Sequence, residues 1–200
     1  MDSNVITFME WIAAAAGLVS VYLLTKQSVL AWPAGLLSVF IYVFIFYQNK
    51  LYSDFMLHII YVMLNTFGWW RWSTGKGGIN PPLKVSLLSS RIRWFIMLGI
   101  SIATYIWGDI MHKNTSAVYV FPDAFILVAS LVAQYLLALK KIENWILWIL
   151  VDIIAIIIYY LKGLYVTSGL YLLYLILCIS GWLQWSKERR PSSPFNTQIV

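Results

Sequence analysis

Residues 32–73, WPAGLLSVFIYVFIFYQNKLYSDFMLHIIYVMLNTFGWWRWS, decide the fold, because residues 145–186, WILWILVDIIAIIIYYLKGLYVTSGLYLLYLILCISGWLQWS, repeat their pattern 113 positions later without a gap. Trp32 aligns with Trp145, Tyr47 with Tyr160, Leu51-Tyr52 with Leu164-Tyr165 and Tyr61 with Tyr174. Gly68-Trp69 aligns with Gly181-Trp182, and Trp72-Ser73 with Trp185-Ser186. Apolar matches such as Ile41, Ile45, Leu57 and Leu64 arise easily by chance, but Trp, Tyr and Gly in one fixed register do not. Each copy holds two apolar runs around a short polar break, and each run is long enough to cross roughly 30 Å of hydrocarbon as a helix.

Working outward, hydropathy and helix breakers predict seven spans, at 6–25, 30–48, 53–72, 92–110, 121–139, 145–161 and 166–185. The polar stretch 73–93 carries Gly75-Lys76-Gly77-Gly78 and Asn80-Pro81-Pro82, which favour loop over helix, and it leaves three helices before it and four after. Residues 1–200 then form one all-α integral membrane transporter domain: a first three-helix repeat at 6–72, a linker helix at 92–110 and a second repeat at 121–185. An odd repeat followed by an odd linker returns the second repeat in the orientation of the first. This is the parallel 3+1+3 arrangement of the sugar-carrying SWEET proteins, with the substrate site near the midplane between the repeats.

Composition excludes the main soluble classes. Hydrophobic residues make up 61% of the chain and charged residues 11%, against roughly 25% charged in a soluble domain. The net charge of +6 does not point to nucleic acid, since the basic residues stand singly or in small groups between apolar runs. By alternation, one side of the membrane collects Lys26, Arg71, Lys76, Lys84, Lys140, Lys141, Arg190 and others, and the opposite side only Lys50, Lys113 and Lys162. Positive charge gathers in the cytoplasm, so the C-terminus is expected there and the N-terminus outside. The first apolar run lacks the basic start and cleavage site of a signal peptide and is expected to stay as a helix. The single cysteine, Cys178, rules out a disulfide framework or a cysteine metal cluster. His58 and His112 fall on different helices, and no phosphate loop or nucleophile motif occurs, so no enzyme, cofactor or metal site is expected.

Helical spacing selects candidate residues. Tyr61, Asn65, Trp69 and Trp72 follow one another on helix three, and Tyr174, Cys178, Trp182 and Trp185 repeat them on helix seven. Helix six adds Asn144, Trp148 and Asp152, four apart, where the first repeat has only Ala31, Gly35 and Val39. That asymmetry assigns specificity to repeat two. An ionisable group at mid-span is costly, so Asp152 should face the interior with a partner, either the solute or an amide such as Asn65 or Gln134. Aromatic faces beside a carboxylate suit a flat organic cation such as a pyridinium nucleoside. Other roles stay open at this point. Trp32, Trp72 and Trp185 lie near span ends, where tryptophan anchors the interface. Tyr61 and Tyr174 could simply pack, and Asn65 and Gln134 could be interhelical glue. Asp152 could be a protonated, hydrogen-bonded packing residue and Cys178 a core residue, while Asp54, Asp109 and Asp123 stand near helix ends as capping or solvated groups. A non-transporting membrane scaffold is the alternative of another class.

Three segments carry a family resemblance: Asn65-Thr66-Phe67-Gly68-Trp69-Trp70-Arg71-Trp72, Pro122-Asp123-Ala124-Phe125 and Glu143-Asn144-Trp145-Ile146-Leu147-Trp148, with weaker support from Glu10-Trp11, Gly17 and Gly163-Leu164-Tyr165. With them the chain resembles the PnuC family of nicotinamide riboside transporters over about residues 9–190. The resemblance implies a multi-pass protein of the bacterial inner membrane that serves NAD biosynthesis by facilitated diffusion, with cytoplasmic phosphorylation trapping the product, and a homotrimer. It also implies a binding region of Asn65, Trp69, Gln134, Asn144, Trp148 and Asp152, with Trp182 and Trp185. Relatives that carry thiamine or riboflavin make those vitamins the alternative substrates.

Overall fold

Every apolar run forms a helix, and the helix ends are set by backbone turns. The computed structural model describes residues 3–50, 52–74, 83–115 and 118–189. Leu51, the 75–82 loop signals with Lys76, and Arg190 lie outside the described residues. The helices are α1 (Ser3–Thr25), α2 (Ala31–Gln48), α3 (Tyr52–Thr74), α4 (Ser90–Asn114), α5 (Val120–Ala138), α6 (Glu143–Leu161) and α7 (Tyr165–Arg189). Gln27, Lys50, Lys140 and Gly163 adopt positive φ, between 51° and 76°, just beyond the ends of α1, α2, α5 and α6. After α1, Ser28 N–H donates to the Leu23 carbonyl and Gln27 N–H to that of Leu24. After α5, Lys141 and Lys140 donate in the same way to Leu136 and Leu137. Both are Schellman caps, which satisfy the last carbonyls of a helix where no water can. The positive-φ residues pair as 27 with 140 and 50 with 163, each 113 apart, in the register of the sequence repeat.

Packing follows the same register. Within each group of three, α1 packs on α2 and α2 on α3, as α5 packs on α6 and α6 on α7. Between the groups, α1 meets α7 and α3 meets α5, while α4 packs on α5. At the centre of one end stand four buried tryptophans. Trp32 and Trp72 meet edge to face with ring centroids 5.2 Å apart, and Trp145 and Trp185 do so at 5.3 Å. The indole N–H of Trp72 donates to the Ala138 carbonyl at 3.1 Å, and that of Trp185 to the Leu24 carbonyl at 3.2 Å, so each group's tryptophan caps the other group's first helix. These rings are core, with Trp32, Trp72 and Trp185 at most 5% exposed, and so are not interfacial anchors.

Glycine makes the approach possible. A Cβ on Gly181 would stand 2.6 Å from the Trp145 ring, and one on Gly68 would overlap Trp32. Gly181→Ala is therefore expected to destabilise the protein by about 1–3 kcal/mol, the usual cost of overpacking a core. The check is the thermal unfolding midpoint of the purified protein in detergent; an unchanged midpoint would mean that the indole yields freely.

The segment before α4 ties across the same end. Ser86 exchanges backbone hydrogen bonds with Lys140 and Ile142, and its hydroxyl accepts from Lys141 Nζ at 2.8 Å. Glu143 accepts from the Leu88 N–H at 2.9 Å and lies 3.8 Å from Arg93. Ser89 caps α4, which therefore starts at Ser90 rather than near residue 92.

Six of the described helices are long and apolar enough to cross a membrane. The exception among the seven expected spans is α3, whose 23 residues include Asp54, His58, Asn65 and Arg71. Part of that polarity faces inward, as the cavity below requires.

Candidate functional site

A cavity of about 250 Å³ lies between the two groups of helices, near the small end of ligand pockets at about 300–1,000 Å³. All helices but α4 line it. Small residues open the space: Gly17 and Ser20 on α1, Gly35 and Ser38 on α2. Both hydroxyls are satisfied within the bundle, Ser20 donating to the Ala31 carbonyl and Ser38 to that of Ala13. The polar tips of other helices reach these gaps. A Cβ on Gly35 would stand 2.8 Å from Asn65 Oδ1, and one on Gly17 would stand 2.5 Å from the Tyr174 hydroxyl.

Opposite, α6 supplies Trp145, Trp148 and Asp152, and α5 supplies Gln134. Asp152 is 2% exposed; the Cys178 thiol is hydrogen-bonded to it, and its Oδ2 has no partner. The Trp145 Nε1–H is likewise buried and unpartnered. Buried polar atoms are seldom left unpaired, and Asp152 Oδ2 is an acceptor that a polar solute can satisfy. Asn65 is held by its Nδ2, which donates to the Tyr61 carbonyl at 2.8 Å, and the Tyr61 hydroxyl is 2.6 Å from that of Ser130.

Aromatic layers bound the cavity at both ends. Trp145 and Leu24 are shared with the tryptophan cluster. At the opposite helix ends, His58 packs on Phe46 at 4.7 Å and on Tyr61 at 5.7 Å. The residues 113 positions on do the same: Tyr171 stacks on Tyr159 at 5.3 Å and meets Tyr174 at 6.1 Å.

Of the residues that sequence selected, Tyr61, Asn65, Gln134, Trp148, Asp152, Tyr174 and Cys178 line the cavity. Trp69, Asn144, Trp182 and Trp185 are not among its lining residues. Trp69 and Trp182 stand on the outer surface, 42% and 39% exposed, because steps of four residues drift by about 40° each around a helix of 3.6 residues per turn. Trp185 belongs to the tryptophan core. Asn144 is fully buried in the first turn of α6, donating to the Lys141 carbonyl at 2.5 Å. Sequence reasoning missed Tyr42, His58 and Tyr171. For His58 and Tyr171 a signal existed, since each precedes an inward tyrosine by three residues; for Tyr42, on an apolar helix, there was none. Among the described residues no cluster of three His, Cys, Asp or Glu side chains could hold a metal. Away from the cavity, Asp109 pairs with Lys113 at 2.6 Å and Asp123 with Lys162 at 3.0 Å.

Against known proteins, the profile of the nicotinamide mononucleotide transporter family matches residues 7–187. The chain is 26% identical to the nicotinamide riboside transporter PnuC of Escherichia coli, over 92% of this chain and 88% of that protein. It is 24% identical to the riboflavin/roseoflavin transporter RibM of Streptomyces davaonensis, over 96% and 91%. Among solved structures, that of the vitamin B3 transporter PnuC superposes with a TM-score of 0.72 at 26% identity, covering 90% of this chain and 81% of that one.

Proposed function

This chain belongs to the nicotinamide mononucleotide transporter family, and from that premise we propose that it carries nicotinamide riboside across the bacterial inner membrane through the cavity between its helices. The observation that carries the reading is the unpartnered Asp152 carboxylate beside Trp148 in a cavity also lined by Asn65 and Gln134. A pyridinium ring is flat and positively charged, and stacks on an indole face while facing a carboxylate. Its carboxamide and ribose hydroxyls need hydrogen-bond partners once water is left behind, and the two amides supply them.

The matching turns, the paired tryptophans and the reciprocal contacts of α1 with α7 and α3 with α5 support a parallel 3+1+3, SWEET-like architecture with α3 as the seventh span and α4 as linker. The two aromatic layers are its alternating closures. With the lysine-rich helix ends in the cytoplasm, the tryptophan cluster closes the inner side and the His58 layer the outer. Movement is facilitated diffusion down the gradient of solute, kept steep by phosphorylation in the cytoplasm. Riboflavin is the second reading, favoured by the similarity to RibM.

The test is a titration of the detergent-purified protein with nicotinamide riboside, thiamine and riboflavin, followed by tryptophan fluorescence. Saturable quenching by nicotinamide riboside alone is expected. Binding of riboflavin instead would keep the cavity and change the cargo, and no binding would return the protein to a scaffold role.

A further inference from the structure

The charge inventory of the cavity is lopsided. No lysine or arginine lines it, and its ionisable groups besides phenols and the Cys178 thiol are Asp152 and His58. His58 Nδ1 lies 2.8 Å from the Asp54 carbonyl oxygen. A carbonyl can only accept, so Nδ1 carries a proton. Asp152 receives one weak thiol donor and keeps Oδ2 free. Its counterpart in the first repeat, Val39, lines the same cavity with a purely apolar side chain. The acidic side chain therefore stands on one wall only, with no lysine or arginine lining the cavity opposite it. A carboxylate buried without a countercharge is costly, and a solute that brings its own positive charge removes that cost, whereas an uncharged solute of the same shape adds desolvation with nothing in return.

Resting on the reading of this cavity as the nicotinamide riboside site, we propose that Asp152 is its specificity-determining residue for solute charge. It admits the oxidised pyridinium nucleoside and discriminates against the neutral dihydropyridine form of the same nucleoside. The two forms differ by one hydride and have almost the same shape, so hydrogen bonding to the amides cannot tell them apart; the Trp148 face adds a small preference for the cation, and the Asp152 carboxylate supplies the larger one. The transporter would then deliver the oxidised nucleoside even where both forms are present.

The experiment is isothermal titration calorimetry of the purified full-length protein with nicotinamide riboside and with its 1,4-dihydro form. The wild-type protein is expected to prefer the oxidised form by about tenfold or more, the factor that about 1.4 kcal/mol supplies. Asp152→Asn, which keeps the size and loses the charge, is expected to shrink the preference to the few-fold that the Trp148 face alone supplies, chiefly through weaker binding of the oxidised form; Asp152→Glu is expected to keep the preference. Equal affinities in the wild type would overturn the inference without any variant and would leave the transport reading standing. An unchanged ratio in a folded Asp152→Asn protein would also overturn it. A wild-type protein that binds neither form would instead remove the substrate reading, and this inference with it.

Discussion

Trp148→Ala is expected to weaken the binding of nicotinamide riboside by about ten- to hundredfold, because stacking of a base on an aromatic side chain is worth about 1–3 kcal/mol and each 1.4 kcal/mol is a factor of ten. The residue lies on the α6 wall, one turn before Asp152, and lines the cavity. Its counterpart in the first repeat is Gly35, against which Asn65 is packed, so no second indole can take its place. Val39→Ala, which trims the opposite wall without removing an aromatic or polar group, is expected to change affinity by about fourfold at most, as for the loss of one methylene's worth of apolar contact at about 0.8 kcal/mol. Calorimetric titration of both variants checks the contrast, and equal losses would place the solute symmetrically between the repeats. Asn144→Ala has a different expectation from the one its place on the helix-six stripe suggests. Its amide secures the first turn of α6 through the Lys141 carbonyl, so the variant should lower stability and leave affinity close to that of the wild type.

Trp185→Ala is expected to be the most damaging single change to the fold. The ring is fully buried, packs edge to face on Trp145 and 6.1 Å from Trp72, and donates its N–H to the carbonyl of Leu24 on α1. Truncating a buried tryptophan costs about 3–5 kcal/mol through lost burial and the cavity left behind, and here it also removes one of the two hydrogen bonds to the Leu24 carbonyl, which keeps the one from Gln27. Trp185→Phe keeps most of the ring contact and loses the N–H, so it should cost about 0.5–1.5 kcal/mol, the net worth of one hydrogen bond. Thermal unfolding in detergent should rank wild type, Trp185→Phe and Trp185→Ala in that order. A Trp185→Ala protein as stable as the wild type would mean that the tryptophan cluster is not what joins the two groups of helices.

Much of the architecture was legible because it depends on properties that repeat along the chain. Seven helices followed from runs of apolar residues and their breakers, with α4 starting earlier at its Ser89 cap and α1, α4 and α7 running a few residues past the expected ends. The contacts of Trp32 with Gly68 and of Trp145 with Gly181 keep the 113-residue register of the sequence, since a small residue and a large one recurring at the same spacing pack in the same way twice. The α6 stripe was visible for the opposite reason, as the place where the repeat is broken. The count of membrane-crossing helices was the less secure inference: α3 carries too much polarity to qualify on composition, and His58 and Asn65 are tolerated because they turn to the cavity rather than to lipid.

The chain alone thus determined the helices, the repeat and the presence of one polar wall, all consequences of local hydropathy and of side-chain order. Only the tertiary structure decided which members of a stripe face inward. Rotation of about 40° at each four-residue step carried Trp69 and Trp182 out to the surface, while Trp72 and Trp185, eleven residues from the first tyrosine, came back to within about 20° of it and entered the core. The structure also brought Tyr42, His58 and Tyr171 to the cavity, since what lines a space between helices depends on the rotation and spacing of neighbours that no single segment encodes.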